Sequence, residues 1–213
     1  MSQEINRRVM LAGAASAAAL PVSAATPSLR VDGERLRTTL EGLSRFGRPE
    51  GGTFADGVSR TAYSDADIGG RAYAMGLMRE AGLNPVIDPA GNIIGRRPGT
   101  DTAAKPIIIG SHIDSVRAGG NFDGDVGSMG ALEVLRTLDD RKIKTRHPVE
   151  LAIWSNEEGG TVGSTAFAGR LEPGALDNLY YGIKLRDGLK RIGGDPERLT
   201  QAARPAGSIH AYL

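Results

Sequence analysis

Residues 106–135 have the sequence PIIIGSHIDSVRAGGNFDGDVGSMGALEVL, which decides the fold prediction. The run of isoleucines near its start predicts a buried strand. The glycine-rich stretch that follows predicts a loop, and apolar residues at helical spacing then predict a helix from Asp125 to Asp139. This order of strand, loop and helix is typical of an α/β fold, in which ligands bind at the carboxyl ends of the strands.

The same alternation of helices and strands extends in both directions. Ser64 begins a capping-box-like sequence, and Gly82 is expected to stop the helix that follows it. The predicted helices are 31–43, 64–81, 125–139, 173–179, 183–192 and 195–203, and the predicted strands are 85–88, 92–97, 106–111 and 149–154. The sequence therefore predicts an α/β architecture for most of the chain.

Polar side chains follow two of the predicted strands. His112 and Asp114 lie two apart on an extended strand end, so they point to the same side, and the aspartate can hold the imidazole while the imidazole holds a metal. Asp123 lies near a helix start, where a carboxylate is favoured, and can bridge two cations. Glu157 and Glu158 follow the second strand. Because neighbours in extended chain diverge, one can bind a metal while the other acts as general base.

These residues also allow interpretations other than a metal site. A histidine after an apolar strand is often only a buried, hydrogen-bonded group, but four nearby acids favour a metal ligand. The glycines of 119–130 can also suggest a phosphate loop, yet neither Gly-Lys-Ser/Thr nor Gly-x-Gly-x-x-Gly is present. Asp125 is predicted to be a solvated first-turn acid. His147 is predicted in an exposed connection, and His210 is not expected to be a ligand.

The motifs His-x-Asp, Gly-Gly-x-x-Asp-Gly-x-x-Gly and Asn-Glu-Glu-Gly, in this order, resemble those of the hydantoinase/carbamoylase family of amidases. That family lies within the dizinc aminoacylase/carboxypeptidase superfamily. The resemblance also includes residues 59–67, 88–95 and 163–169, and it covers roughly residues 33–213. It implies the N-terminal part of a dizinc-peptidase-like catalytic domain, with a central mixed sheet flanked by helices, and truncated.

The resemblance also implies a role for each candidate residue. His112 would bind one metal, Asp123 would bridge both, and Glu158 would bind the other. Glu157 would be the general base, and Asp114 would be the partner of His112. The cofactors would be two divalent cations, Zn²⁺ or alternatively Mn²⁺, because histidine and carboxylate ligands do not choose sharply between them.

The family uses two further histidine ligands that this sequence does not contain. One belongs to a segment that normally follows a stretch like residues 208–213, and the other lies far downstream. The chain is therefore expected to be the N-terminal half of a longer enzyme, without the lid domain and the C-terminal part. The full-length form would be a homodimer, as the resemblance implies.

The resemblance implies hydrolysis of linear C–N bonds in small ureido or amide substrates, such as N-carbamoyl amino acids or allantoate. The alternatives are a dizinc aminoacylase or peptidase of the same superfamily, and an inactive truncated fragment or binding protein. The net charge of +1, with 24% charged residues, argues against a nucleic-acid partner. The sequence contains no cysteine, so a zinc site must use histidine and carboxylates, as catalytic sites do.

The N-terminus has the features of an export signal. Arg7 and Arg8 precede an alanine-rich apolar run that ends at Leu20, and small residues follow at 23–25. We expect a twin-arginine signal peptide at 1–25, a mature part at 26–213, a periplasmic location and no membrane attachment after cleavage. The alternative is an alanine-rich helix or an uncleaved anchor.

Overall fold

The computed structural model describes residues 29–213, so the predicted signal peptide lies outside the described residues. Within that range the strands are β1 (Val86–Ile87), β2 (Ile93–Arg97), β3 (Ile107–His112), β4 (Val149–Trp154), β5 (Leu179–Tyr180), β6 (Ile183–Lys184) and β7 (Ala211–Tyr212). Five of them form a sheet in the order β1-β2-β4-β3-β7, and β5 and β6 form a separate hairpin. Strands β3, β4 and β7 run parallel, whereas β1 and β2 are antiparallel to their neighbours. The predicted α/β fold with a mixed sheet is confirmed.

The α-helices of the described chain are α1 (Gly33–Leu43), α2 (Asp65–Glu80), α3 (Asp125–Asp140), α4 (Glu157–Gly160), α5 (Val162–Phe167) and α6 (Leu185–Arg191). Asp32 caps α1 by accepting a hydrogen bond from the backbone N–H of Arg35. Ser64 caps α2 in the same way, through the backbone N–H of Asp67. The predicted capping role of Ser64 is confirmed, whereas the cap of α1 by Asp32 was not predicted.

The sheet lies between two apolar layers. On one face, Leu43 of α1, Met78 of α2 and Leu132 of α3 pack with Ile93 and Leu151. The opposite face includes Ile94, Ile108, Ala152 and Trp154, which pack against Phe167 of α5. Neighbouring strand residues thus serve opposite layers, as the pleat requires, and both faces are covered.

Several predicted elements differ from the observed ones. The helices predicted at 173–179 and 195–203 are short 3-10 helices, Pro173–Asp177 and Pro196–Ala202. The helix predicted at 183–192 begins as strand β6 before it becomes α6. Helices α4 and α5 and strand β7 were not predicted. Among residues 29–213, no helix is long and apolar enough to cross a membrane.

Candidate functional site

Strands β3 and β4 end at the same edge of the sheet. They pair in parallel over six positions, and the last pair joins His112 to Trp154. The chain leaves β3 into the glycine-rich loop that leads to α3, and it leaves β4 into α4. This parallel register brings the polar residues after both strands to one edge, as the sequence predicted.

His112 is buried, and its ring is fixed by one hydrogen bond. Its Nδ1 lies 2.9 Å from the backbone carbonyl oxygen of Asp114, whereas the carboxylate of Asp114 is 3.8 Å from Nδ1. Because a carbonyl only accepts, Nδ1 carries a proton, and in the neutral ring Nε2 has a lone pair for a metal. The aspartate therefore does orient the imidazole, but through its main chain rather than through the carboxylate that the sequence pattern suggested.

The free Nε2 of His112 faces two carboxylates. It lies 3.9 Å from Oδ1 of Asp123 and 3.6 Å from Oε2 of Glu157. These separations are slightly longer than the roughly 3.4 Å between two ligands of one tetrahedral zinc ion, each about 2.1 Å from the metal. The side chain of Asp123 is 76% exposed, so this cluster is open to solvent and to a ligand.

The sequence predicted that Glu157 and Glu158 extend strand β4, but they do not. They form the first turn of α4, and their backbone N–H groups both donate to the carboxylate of Asp114, each at 3.2 Å. A carboxylate at this place satisfies donors that the helix itself leaves unpaired. Asp114 thus connects the loop after β3 to the turn after β4.

Burial and, to a smaller extent, the nearby charge of Asp67 raise the pKa of Asp114, which is about 6. The N–H donors of Glu157 and Glu158 and the charge of His112 act in the opposite direction. Since those donors favour the ionised form, the carboxylate is held in its capping position.

The side chains of the two adjacent glutamates do not lie where the implied roles would place them. The carboxylate of Glu157 is the one that approaches His112, although the resemblance makes Glu158 the ligand. Within the described residues, Glu158 makes no ion pair within 4.0 Å. The site as described therefore brings together His112, Asp114, Asp123 and Glu157, and it leaves Glu158 at the margin.

Arg60 and Asp125 form a buried ion pair beneath the site that the sequence analysis missed. Both side chains are 1% exposed. The Nε and Nη1 atoms of Arg60 donate to the main-chain carbonyls of Ile113, Leu43 and Phe46. The prediction that Asp125 is solvated is wrong, because a first-turn acid can also face inwards when a buried cation meets it. The sequence feature that could have indicated this ion pair was Arg60, which lies in the motif at residues 59–67.

The two other histidines lie away from the site. His210 donates its backbone N–H to the carbonyl of Pro106, at the start of β3, whereas the site is at the end of that strand. The ring of His210 stacks on that of His147, with centroids 4.1 Å apart. His147 lies in the largely exposed connection between α3 and β4, as predicted, and is itself half-buried, and His210 is not placed as a ligand.

The donor types fit a divalent cation, since a neutral imidazole nitrogen and carboxylates are ligands of zinc and manganese. The number of convergent donors is too small for a complete metal site. Among residues 29–213, no three His, Cys, Asp or Glu side chains are arranged to hold a metal ion. His112, Asp123 and Glu157 converge, but they do not close a site by themselves.

Known proteins match this chain over most of its length. Residues 92–195 match Peptidase family M28. An N-carbamoyl-L-amino acid amidohydrolase from Geobacillus stearothermophilus is 40% identical over 189 residues, which are 86% of this chain and 45% of that protein. A ureidoglycolate hydrolase from Arabidopsis thaliana is 31% identical over 182 residues, which are 84% of this chain and 36% of that protein.

A solved structure shows the same fold. The crystal structure of a hydantoinase/carbamoylase family amidase from Burkholderia ambifaria superposes with a TM-score of 0.76 and 38% identity. The match covers 86% of this chain and 44% of that chain, so the chain spans a little under half the length of its relatives. By sequence and by fold, the chain is therefore similar to the N-terminal half of the hydantoinase/carbamoylase family amidases.

Proposed function

We propose that the protein to which this chain belongs hydrolyses linear C–N bonds of small ureido or amide molecules, such as N-carbamoyl amino acids or allantoate, with the help of divalent metal. The observation that carries the proposal is the convergence of Asp123 and Glu157 on the free Nε2 of His112. The names of the amidohydrolase relatives support the substrate class.

In this proposal His112 and Asp123 would hold one cation, and Asp123 and Glu158 would hold a second. Such cations would supply a Lewis acid that acidifies water and stabilises negative charge on the substrate's carbonyl oxygen. Glu157 takes the proton from the attacking water and returns it to the leaving nitrogen. Asp114 keeps both glutamates in place through their N–H groups.

The division of roles between the glutamates is tested by Glu157→Gln and Glu158→Gln in an active, metal-loaded form of the protein. Glu157→Gln should retain metal and lower kcat at least about a hundredfold, the size typical of a lost general base. Glu158→Gln should instead lower metal content, measured by elemental analysis. Equal loss of metal from both variants would show that the roles are wrongly divided, and the position of Glu157 beside His112 makes this comparison decisive.

A peptidase or aminoacylase is the second candidate, because residues 92–195 match Peptidase family M28. The same metal and the same general base would serve peptide hydrolysis, so the site does not separate the two. Parallel assays of N-carbamoyl amino acids and dipeptides separate them. Turnover of the carbamoyl compounds is the expected result, and turnover of dipeptides alone would favour the peptidase.

A further inference from the structure

Asn92 is a buried polar residue to which the reaction proposed above gives no role. It lies directly before β2, at the end of the loop that follows β1, and it is 0% exposed. Its backbone is tied to Asp88 at the start of that loop. The N–H of Asn92 donates to Oδ1 of Asp88 at 2.9 Å, and the N–H of Asp88 donates to the carbonyl of Asn92 at 2.9 Å. The loop therefore presents the side chain of Asn92 from a fixed backbone.

The carboxamide of Asn92 makes three hydrogen bonds. Its Nδ2 donates to Oδ2 of Asp88 at 2.8 Å and to the backbone carbonyl of Gly163 at 3.1 Å. Its Oδ1 accepts the backbone N–H of Ser155 at 3.1 Å. An ionised carboxylate and a carbonyl only accept, and a backbone N–H only donates, so all three contacts agree on one orientation of the side chain. A buried carboxamide with these contacts made is held rigidly.

Ser155 and Gly163 are the two ends of the segment that carries the glutamates. Ser155 follows β4, Gly163 lies in the first turn of α5, and α4 lies between them. The ends also meet each other, because the backbone N–H of Gly163 donates to the carbonyl of Ser155 at 2.9 Å. The side chain of Asn92 thus holds both ends of this segment at once and joins them to the start of β2.

The segment between these ends has a strained backbone. Asn156 and Thr161, the residues on either side of α4, both have positive φ, 45° and 49°. Residues other than glycine rarely adopt this conformation, and it persists where the surrounding structure enforces it. Asn156 directly follows Ser155, and Thr161 comes shortly before Gly163. The contacts of Asn92 therefore lie where the strained backbone needs support.

The approach of Asn92 to Gly163 leaves no room for a larger residue. A Cβ placed on Gly163 would lie 2.0 Å from Oδ1 of Asn92 and 2.5 Å from the backbone nitrogen of Ser155. Alanine at this position would push the carboxamide or the backbone away. The stretches 88–95 and 163–169, which are part of the sequence resemblance, meet at this contact.

We propose that Asn92 is a positioning residue: its carboxamide clamps the ends of the segment 155–163 and thereby holds Glu157 and Glu158 where their N–H groups meet Asp114. The same clamp keeps the carboxylate of Glu157 beside Nε2 of His112. The catalytic meaning of the clamp rests on the proposed function, whereas the clamp itself does not.

The test replaces Asn92 by alanine in the full 213-residue chain and follows backbone amide hydrogen exchange. Exchange at Ser155, which loses its acceptor, and at Glu157 and Glu158 should accelerate by about tenfold or more. The matched control is Asn121→Ala. It removes another buried carboxamide, 5% exposed, that joins the glycine-rich loop to the carbonyl of Phe54.

The control should leave exchange at the two glutamates unchanged. Acceleration at Ser155 alone would show that the contact exists but does not position α4, and it would overturn the proposal. Equal acceleration at the glutamates in both variants would overturn it too, because general loss of stability would then be the cause.

Gly163→Ala tests the same contact from the other side and keeps the turn of Asp88 and Asn92 intact, so the test remains open if Asn92→Ala does not fold. Its methyl group should displace the carboxamide and accelerate exchange at Glu157 and Glu158. In the double variant the missing carboxamide makes room for the methyl group, so the two accelerations should not multiply. Fully independent effects would overturn the proposal.

In an active, metal-loaded form of the protein, Asn92→Ala should lower kcat with little change in KM, because a misaligned Glu157 slows the chemical step without weakening substrate binding. A purely structural role would lower the yield of folded protein but leave kcat per metal-loaded molecule unchanged, and that result would overturn the catalytic meaning of the clamp. If the parent protein has no amidase activity but the exchange experiments show the clamp, the clamp stands and the proposed function fails.

Discussion

Arg60 and Asp125 lie beneath the loop that joins β3 to α3, with both charges out of water. Burial raises the pKa of Asp125 to about 6, and the guanidinium of Arg60 opposes that rise. The two main-chain segments that Arg60 bridges, at residues 43–46 and at Ile113, are otherwise far apart in sequence. The pair therefore fixes the loop on which Asp123 depends.

Replacing Arg60 by methionine should destabilise the chain by about 3–5 kcal/mol, because it leaves the carboxylate of Asp125 buried without a partner. Urea denaturation followed by circular dichroism measures the change. Arg37→Met is the control, since Arg37 pairs with Glu34 and Glu41 on the exposed face of α1 and should matter little.

A second variant of the same ion pair tests whether the unpaired carboxylate of Asp125 causes the loss of stability. Adding Asp125→Leu to Arg60→Met removes the orphaned charge, so stability should partly return. A double variant as unstable as Arg60→Met would mean that lost packing of the arginine, rather than the unpaired carboxylate, causes the damage.

The elements that the sequence predicted best are β2, β3, β4 and α3, which have clear apolar periodicity or short apolar runs. The meeting of the residues after β3 with those after β4 was also predicted, because parallel strands that end together bring their loops together. Both results follow from local pattern combined with α/β topology.

Helix α4 was not predicted, for a physical reason. It has four residues, and its first N–H groups are satisfied by Asp114, which is 43 positions away from Glu157 in sequence. Its start depends on a left-handed Asn156, which no periodicity reveals. Tertiary contacts rather than local propensity form this turn, and the geometry of the glutamates therefore escaped the sequence analysis.

Gly124, just before α3, and Gly130, within α3, differ in the space available for a side chain. Gly124 has φ 63°, and a Cβ there would lie 2.4 Å from the ring of His112. Gly124→Ala should therefore destabilise the chain by about 1–3 kcal/mol and displace the imidazole. Thermal denaturation gives the stability, and the histidine ring resonances in an NMR spectrum report the displacement.

Gly130 in the middle of α3 is the matched control, since nothing lies within 4 Å of the position of its Cβ. Gly130→Ala should stabilise the chain by about 0.5–1 kcal/mol, because alanine is the better helix former. The prediction for Gly124 is refuted if both alanine variants have equal stability and equal His112 resonances.

At the scale of the whole molecule, the N-terminal residues lie outside the described structure, and their function is a proposal from sequence. We propose that they direct export by the twin-arginine route to the periplasm, with cleavage near Ala24 or Ala25. Replacing both Arg7 and Arg8 by lysine should retain the protein in the cytoplasm, because the receptor recognises the guanidinium pair rather than charge alone. Fractionation of the native host measures this, and undiminished export of the lysine variant would indicate the general secretory route.

Metal binding by the 213-residue chain is limited by how many donors converge in it. His112 offers one free nitrogen to Asp123 and Glu157, yet the described residues contain no group of three ligands arranged to hold an ion. Catalytic zinc usually has three protein ligands and a water. We therefore expect the purified chain to bind Zn²⁺ or Mn²⁺ weakly and to show no amidase turnover, as measured by isothermal titration calorimetry and by assay with N-carbamoyl amino acids.

The relatives are about twice as long as the part that this chain matches, so a protein of their length has room for further ligands. His112→Ala should abolish the weak binding if Nε2 is the anchoring donor, whereas His147→Ala should not, because that ring stacks on His210 at the other end of β3. Tight, stoichiometric binding of two metals by the chain alone would contradict this prediction. It would mean that the glutamates of α4 lie closer to Nε2 when metal is bound than they do in the described structure.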